Sequence, residues 1–293
     1  MLSVLQIMLY TIFKNKKGGI AMEMDQYEKR GFLHENFKLF HIKDSSLETF
    51  DYHYHDFNKI YILLSGNVVY NIEGKSYPLS PYDIVLIHRN ELHKPEIDFS
   101  APYERIILYT NLLEDSVLSY CFEYSKNHDE HVIRIKDLPH TRLFETLKEL
   151  EQAVASNDFA NEIYEATLFT EFMVLLNRNM IHKDYSYVSS HTSNNKIHLI
   201  LSYINEHLME DLSVDSLSSS FYVSKYHLMR TFKAETGYSL HYYITDKRLL
   251  LAKDLLSRDF SIGEICYQCG FKDYSTFFRA FKKKYHCKPS QFG

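Results

Sequence analysis

Cysteine is scarce in this chain: Cys121, Cys266, Cys269 and Cys287 are the only four in 293 residues. Four thiols at irregular spacing exclude the disulfide framework of a small secreted domain and point to a cytoplasmic setting. Long apolar runs are missing too. The one candidate, MLSVLQIMLYTIF, covers 13 residues, short of the roughly 20 that span a bilayer, and it lacks the basic start and small-residue cleavage site of an export signal. No low-complexity tract is present, and 45% hydrophobic with 24% charged residues is the composition of a chain that folds. Nor is there an excess of positive charge. The formal net charge of −5, taken over the whole chain, speaks against a nucleic-acid binder.

The total hides an asymmetry. From Asn194 to Gly293 there are 14 Lys and Arg against 10 Asp and Glu, or +4, which leaves 19 against 28, or −9, for the rest. Length alone suggests two domains of about 150 residues each, and the charge distribution allows a DNA-facing module on an acidic partner domain. Residues 1–24 are expected to be leader or disordered. Lys16-Lys17-Gly18-Gly19 can be encoded by a purine-rich ribosome-binding sequence, so translation is expected from Met22 or Met24; an intact mass beginning at Met1 would exclude this.

From about Glu48 to Tyr109 apolar and polar residues alternate in short runs broken by Ser65-Gly66-Asn67, Glu73-Gly74-Lys75, Pro78 and Pro81. That pattern predicts consecutive antiparallel strands without intervening helices, hence a sandwich or small barrel over residues 25–136. His53 and His55 in HYH, Gly66 and His93 resemble the two motifs of the cupin barrel. That resemblance implies a metal-binding Glu four residues after the second His, but Lys59 stands there. An ammonium has no lone pair and repels a cation, so no metal or other cofactor is expected, although three His could still hold zinc. The Pro-Gly-Asp turn of the second motif is Pro81-Tyr82-Asp83 here.

The period then changes. Leu143, Leu147, Leu150 and Val154, and then Ile163, Ala166, Phe169, Met173 and Leu176, recur at three- and four-residue spacing. Two amphipathic helices are therefore expected over 137–182, packed on their own barrel or against a second copy of the chain. Residues 183–195, KDYSYVSSHTSNN, are polar and aperiodic, and read as a linker.

Residues 196–293 contain one pattern twice. SVDSLSSSF is a short helix with Ser213 as N-cap, followed by a turn at Tyr222-Val223 and a second helix, SKYHLMRTFKAET, capped by Ser224 and stopped by Gly237. After a long connecting helix, SIGEICYQC opens at Ser261, Gly270-Phe271 is the turn, and DYSTFFRAFKKKY opens at Asp273. Short helix, tight turn and second helix make a helix-turn-helix unit. In each second helix a core pair, Leu228 with Phe232 or Phe277 with Phe281, is spaced i and i+4. The facing positions carry Lys225, Tyr226, Met229, Arg230 and Lys233 in one copy, and Tyr274, Ser275, Phe278, Arg279, Lys282 and Lys283 in the other. Cys266 and Cys269 form a lone C-x-x-C on the short helix, where small core residues fit better than zinc or redox chemistry.

The text from Arg248 to Pro289, RLLLAKDLL through SIGEICYQCGFKDYSTFFRAFKKKYHCKP, resembles the signature of the AraC/XylS family of bacterial transcription regulators, whose usual sensor is a cupin-like barrel followed by helices. Departures are Cys266 for the usual Ala, and His286 for the usual Gly, which puts a non-Gly residue at a helix stop of left-handed conformation. The resemblance implies an α+β protein: a cupin-like antiparallel barrel with amphipathic helices, then an all-α domain of two helix-turn-helix units joined by a long helix. It implies double-stranded DNA as partner, a small-molecule effector, a homodimer built on the helical pair, no enzymatic role and no membrane, and it admits contact with RNA polymerase. Each recognition helix would enter a major groove, the two about one turn or roughly 34 Å apart. Matching positions assign base-edge or nearby contacts to Tyr226, Met229, Arg230, Tyr274, Ser275, Thr276 and Arg279, and phosphate contacts to Ser224, Lys225, Lys282 and Lys283. Phe278 stands where a small polar residue is usual, and would touch a thymine methyl or fill a gap. Lys283 and Lys284 replace Ala234 and Glu235 of the upstream copy, so the downstream helix is expected to hold the DNA backbone harder. Effector contacts are expected from His53, His55, Lys59, Tyr61, Tyr70 and His93. Rings with polar tips suit a sugar, whereas Lys59 favours an anion. The competing readings are a cupin metal enzyme with an appended DNA module, which metal analysis would reveal, and a DNA-binding regulator that needs no effector.

Overall fold

The computed structural model describes residues 33, 35–44, 50–98, 100–112, 116–192, 195–256, 258 and 260–292; the expected leader, residues 1–24, lies outside them. Two compact units emerge, one of residues 76–191 with the described residues before 73, the other of 73–75 and 192–293. No described helix is long and apolar enough to cross a membrane.

Among its described residues the first unit holds nine strands: β1 (Phe37–Asp44), β2 (Asn58–Ser65), β3 (Asn67–Ile72), β4 (Lys75–Pro78), β5 (Ile84–Ile87), β6 (His93–Asp98), β7 (Tyr103–Thr110), β8 (Val132–Arg134) and β9 (Ser186–Tyr187). They form a six-stranded sheet ordered β1-β7-β2-β5-β8-β9 and a three-stranded sheet ordered β4-β3-β6. The expected antiparallel strands are there, but as two sheets rather than a closed cylinder. Three helices accompany them, α1 (Tyr120–His128), α2 (Arg142–Val154) and α3 (Asn161–His182). Strand β1 and helix α1 lie outside the stretches whose periodicity announced structure.

Strand β2 is buried on both faces, and its alternation sorts two cores. Ile60 and Ile62 join Leu143, Leu147 and Leu150 of α2 and Phe172, Met173 and Leu176 of α3 in one cluster. Tyr61 and Leu63 point the other way, into a second cluster with Tyr70, Tyr103, Ile107 and Tyr109. The helical stripe differs from expectation at its start: Ile163 is 71% exposed, with Phe159 and Tyr164 exposed beside it, and the buried face of α3 runs instead through Leu168, Phe169, Phe172 and Met173. Residues 183–195 are also not a plain linker. Tyr187 pairs with Ile133 across β9 and β8, and His191 bridges to Ser76. The Tyr-Ser-Tyr-Val run supplies the aromatic and β-branched residues of a strand inside an otherwise polar segment.

His41 ties β1 to α2. Its Nδ1 lies 2.5 Å from Glu151 and its Nε2 2.9 Å from Glu104. Both acceptors are carboxylates, so the ring must be doubly protonated, and the Glu151 hydrogen bond, against the pull of burial, raises its pKa above the ordinary 6.5. Burial works against the charge on Glu151, yet His41 and Lys148 hold that carboxyl below the usual range. A raised imidazolium stabilises fully below about pH 6.5 and loses its contribution as pH rises through the folded value; the lowered carboxyl contributes above about pH 4.5. The unit should therefore lose on the order of 1 kcal/mol between pH 6 and pH 8. Thermal unfolding across that range should show the fall in the native protein and not in His41→Gln.

The second unit is helical: α4 (Asn195–Glu206), α5 (Val214–Ser220), α6 (Lys225–Thr236), α7 (Leu240–Leu256), α8 (Ile262–Gln268) and α9 (Tyr274–Tyr285). All four expected caps are made. Ser213, Ser224 and Asp273 accept from the backbone N–H three residues on, and Ser261 forms a reciprocal capping box with Glu264. Gly237 and His286 end α6 and α9 in left-handed conformation, His286 at φ 58°. Leu228, Phe232, Phe277 and Phe281 are buried. Cys266 and Cys269 are buried as well, and burial pushes the Cys269 thiol up to about 12, which suits core packing rather than redox chemistry. In the second turn Gly270, at φ +77°, brings its backbone against Leu208 and Arg248. The corresponding corner of the upstream helix-turn-helix is Tyr222, also at positive φ (51°).

Candidate DNA interface and ligand hollow

Each helix-turn-helix unit presents one helix whose inner face is fixed and whose outer face is open. On α6, Ser224, Lys225, Tyr226, Met229 and Arg230 are exposed, while Leu228 and Phe232 anchor the other side. On α9, Tyr274, Ser275, Thr276, Arg279, Lys282 and Lys283 are exposed over Phe277 and Phe281. The structure thus places the predicted residues of each copy on the open side of one helix, with Ser224, Lys225 and Tyr226 or Tyr274, Ser275 and Thr276 at the N-terminal end, where free backbone N–H groups favour phosphate, and Lys282 and Lys283 in the last turn of α9. Arg279 is held along the helix by Nε donating to the Ser275 carbonyl at 3.2 Å, which leaves both terminal nitrogens for an acceptor. Lys225 meets the Asp215 carboxylate, so its ammonium is already engaged.

One expectation changes. Lys284 is only half-exposed and pairs with Asp246 of α7 at 2.6 Å, so it locks the recognition helix to the connecting helix instead of reaching for DNA. The downstream basic excess is therefore Lys282 and Lys283. Phe278 is half-buried, its ring centroid 6.0 Å from that of Tyr274, a position compatible with either role expected of it.

In the first unit, a small hollow lies between the two sheets, lined by His53, Lys59, Tyr61, Tyr70, Tyr103 and Arg105 together with Phe50, Pro95 and Ile107. Four of the predicted effector residues are in this lining. The other two, His55 and His93, cluster with His53, ring centroids 4.9 Å apart from one another and 6.2 and 4.3 Å from His53. Arg105 was not anticipated. Its strand, YERIILYT, places it on the same parity as Tyr103, Ile107 and Tyr109, and that alternation was the available signal. Arg105 is 1% exposed, donates from Nη1 to Asp44 at 2.6 Å and stacks 4.0 Å over the Tyr103 ring. The Tyr61 hydroxyl, whose pKa burial drives far up, donates to that of Tyr103 at 2.9 Å.

The three His present the donor set of a metal site. Nδ1 of His53, His55 and His93 donates to the carbonyls of Asp51, Phe57 and Glu91 at 3.0, 2.7 and 2.8 Å, which turns each Nε2 into the nitrogen with a lone pair. The candidate ligand atoms lie within 4.8 Å of one another, a donor count that suits zinc. The electrostatics do not. Burial, then His53, then Lys59 hold the His93 pKa far below its ordinary value, so an ammonium charge acts on this cluster where the metal-binding pattern has a carboxylate. A divalent ion there would meet repulsion in place of an anionic ligand, and no chemistry is assigned to one.

Comparisons with known proteins fall on both units. A model described as helix-turn-helix domain matches residues 217–293, and one described as AraC-like ligand binding domain matches residues 39–173. The HTH-type transcriptional activator RhaS of Shigella sonnei is 22% identical over 251 residues, covering 82% of this chain and 86% of its own. Among solved structures, the C-terminal domain of the two-component response regulator yesN from Fusobacterium nucleatum is 32% identical over 34% of this chain and 98% of that one, with a TM-score of 0.33. ToxT from Vibrio cholerae is 15% identical over 88% and 98%, with a TM-score of 0.35.

Proposed function

Because the chain belongs to the AraC/XylS family of transcription regulators, a DNA-binding regulator with a ligand-binding domain, we propose that α6 and α9 read two successive major grooves and that an effector in the sheet-walled hollow sets how they are presented. The pair of capped helices with buried inner anchors and open outer faces is the observation that carries the DNA reading. Arg230 and Arg279 supply paired donors for guanine edges; Tyr226, Met229, Tyr274, Ser275 and Thr276 supply nearby contacts; Ser224, Lys225, Lys282 and Lys283 supply phosphate contacts. Selection of bound DNA from a random pool tests this, since absence of any preferred sequence would refute it. More finely, Arg279→Ala should cost about 1–3 kcal/mol at the preferred site and relax one base position, whereas Lys283→Ala should weaken all sequences alike and lower the salt slope by about one.

The effector acts by binding one arrangement of the regulator better than another. Rings of Tyr61, Tyr70 and Tyr103 with polar tips support a hydroxyl-bearing ligand, carbohydrates among them. The regulator works as a homodimer through α2 and α3, a reading supported by the exposed Phe159, Ile163 and Tyr164 at the start of α3. Ile163→Asp should then shift the chain from dimer to monomer in analytical ultracentrifugation, with at least about a tenfold rise in dimer dissociation constant. Contact with RNA polymerase and a place in the cytoplasm complete the reading.

A further inference from the structure

The open face of α6 is only partly polar. Two of its large side chains, Tyr226 and Met229, are mainly apolar and stand 71% and 45% exposed. They are three residues apart, and exposed Arg230 follows Tyr226 by four, so the three make one contiguous patch opposite the buried anchors Leu228 and Phe232. A single apolar side chain on a protein surface needs no explanation. On a helix that enters a major groove it does, because each base edge laid against it loses its water. The Met229 thioether donates nothing and accepts only weakly. Against the amino group of adenine or cytosine, or the two acceptors of guanine, it leaves a polar atom desolvated and unanswered. Thymine alone among the four bases offers it an apolar partner in that groove, the C5 methyl group.

We propose that the upstream recognition helix selects thymine by its methyl group, with Met229 as the contacting side chain, the Tyr226 ring beside it, and Arg230 on a neighbouring base. This rests on the reading that α6 enters a major groove. The selection is both attractive and exclusive: the methyl is buried against sulfur and carbon, and every other base is penalised for the hydrogen bond it cannot make. The two recognition helices then read by different chemistry. Aligning Leu228 and Phe232 with Phe277 and Phe281 puts Ser275 at the position of Tyr226, so the downstream copy brings a hydroxyl that donates and accepts where the upstream copy brings a ring. At the position of Met229 it has Phe278, which is half-buried. A site read by one chain is therefore directional, with a thymine-dependent end under α6.

Single-methyl exchange in the DNA decides the matter. The duplex that the full chain selects from a random pool is resynthesised with each thymine replaced in turn by uracil, which pairs identically and lacks only the methyl, and binding is followed by fluorescence anisotropy. Beside the position that Arg230→Ala relaxes, one thymine should lose about fourfold in affinity as uracil, the worth of one buried methyl group. At that same position 5-methylcytosine should bind about fourfold tighter than cytosine, since it returns the methyl on a G·C pair. Met229→Ala should bind the thymine and uracil duplexes alike, whereas Met229→Leu, apolar and of similar size, should keep the preference. Both substitutions are on the exposed face of α6, and circular dichroism verifies that the helix is intact. Uracil bound as well as thymine, a thymine–uracil difference that survives Met229→Ala, an Arg230→Ala variant that relaxes no position, or a selected site with no thymine beside that position overturns the proposal and leaves the two-groove reading standing. Selection that yields no preferred sequence overturns both.

Discussion

Gly270→Ala should abolish specific DNA binding by the second helix-turn-helix unit and destabilise the helical unit by about 3 kcal/mol or more. Two costs coincide at this residue. Its φ of +77° is a left-handed conformation that a side chain resists, and an added Cβ would stand 2.1 Å from the Leu208 carbonyl oxygen and 2.9 Å from the Arg248 guanidinium. Neither neighbour can step aside cheaply. Leu208 O accepts from Arg248 Nε at 2.9 Å, and Arg248 Nη2 also donates to Glu210 O at 2.8 Å, so moving them opens the joint between the α4–α5 loop and α7. Chemical unfolding followed by circular dichroism should show the loss, and a gel-shift titration should show residual, sequence-tolerant binding. Tyr222→Gly is the converse experiment. Tyr222 occupies the matching corner at φ 51° and is 92% exposed, so glycine relieves strain without opening a cavity.

Asp44→Ala should cost the first unit about 3 kcal/mol, because it strands a guanidinium that is 1% exposed. The loss arises from leaving Arg105 buried and uncompensated rather than from the net worth of the ion pair. Removing both members therefore tells more than removing one: the double variant Asp44→Ala with Arg105→Met should recover much of the stability, since methionine fills the space without a charge. Unfolding in urea, monitored by circular dichroism in the native protein and both variants, measures this. A double variant as unstable as Asp44→Ala would show that Asp44 acts through some contact other than Arg105.

How much of this was legible in the sequence depended on what kind of interaction decided each feature. The helical unit was read nearly complete, caps included, because Ser213, Ser224, Ser261 and Asp273 act on N–H groups three residues away and the i, i+4 anchors are equally local. Even the left-handed stop at His286 followed from its place after α9. Lys284 escaped because its partner, Asp246, is on another helix, and spacing within α9 says nothing of that. Ile163 obeys the helical period yet is 71% exposed in the single chain, because periodicity marks an apolar face without saying whether its own barrel or a second copy covers it. Strand β9 was hidden by polar composition; its partner Val132–Arg134 is some fifty residues back. In the hollow, Lys59, Tyr61 and Tyr70 are legible by type, whereas Tyr103 and Arg105 need the parity of their strand to be carried through a charged residue. The strand pattern reads as a sandwich or small barrel and the strands form two sheets, a choice the text leaves open because hydrogen bonding between distant strands leaves no local trace in it.

Strand β2 also makes one wall serve two rooms. Lys59 and Tyr61 stand on the side of the hollow, while Ile60 and Ile62, one peptide away, press on the core shared with α2 and α3. A ligand that draws Lys59 or Tyr61 by a fraction of an ångström must tilt the peptide planes between them, and a close-packed interior has no slack in which to absorb that tilt. The displacement is handed through the thickness of a single strand to the underside of the helical layer. A ligand seated at Lys59 and Tyr61 would be one strand's thickness from the core that α2 and α3 share.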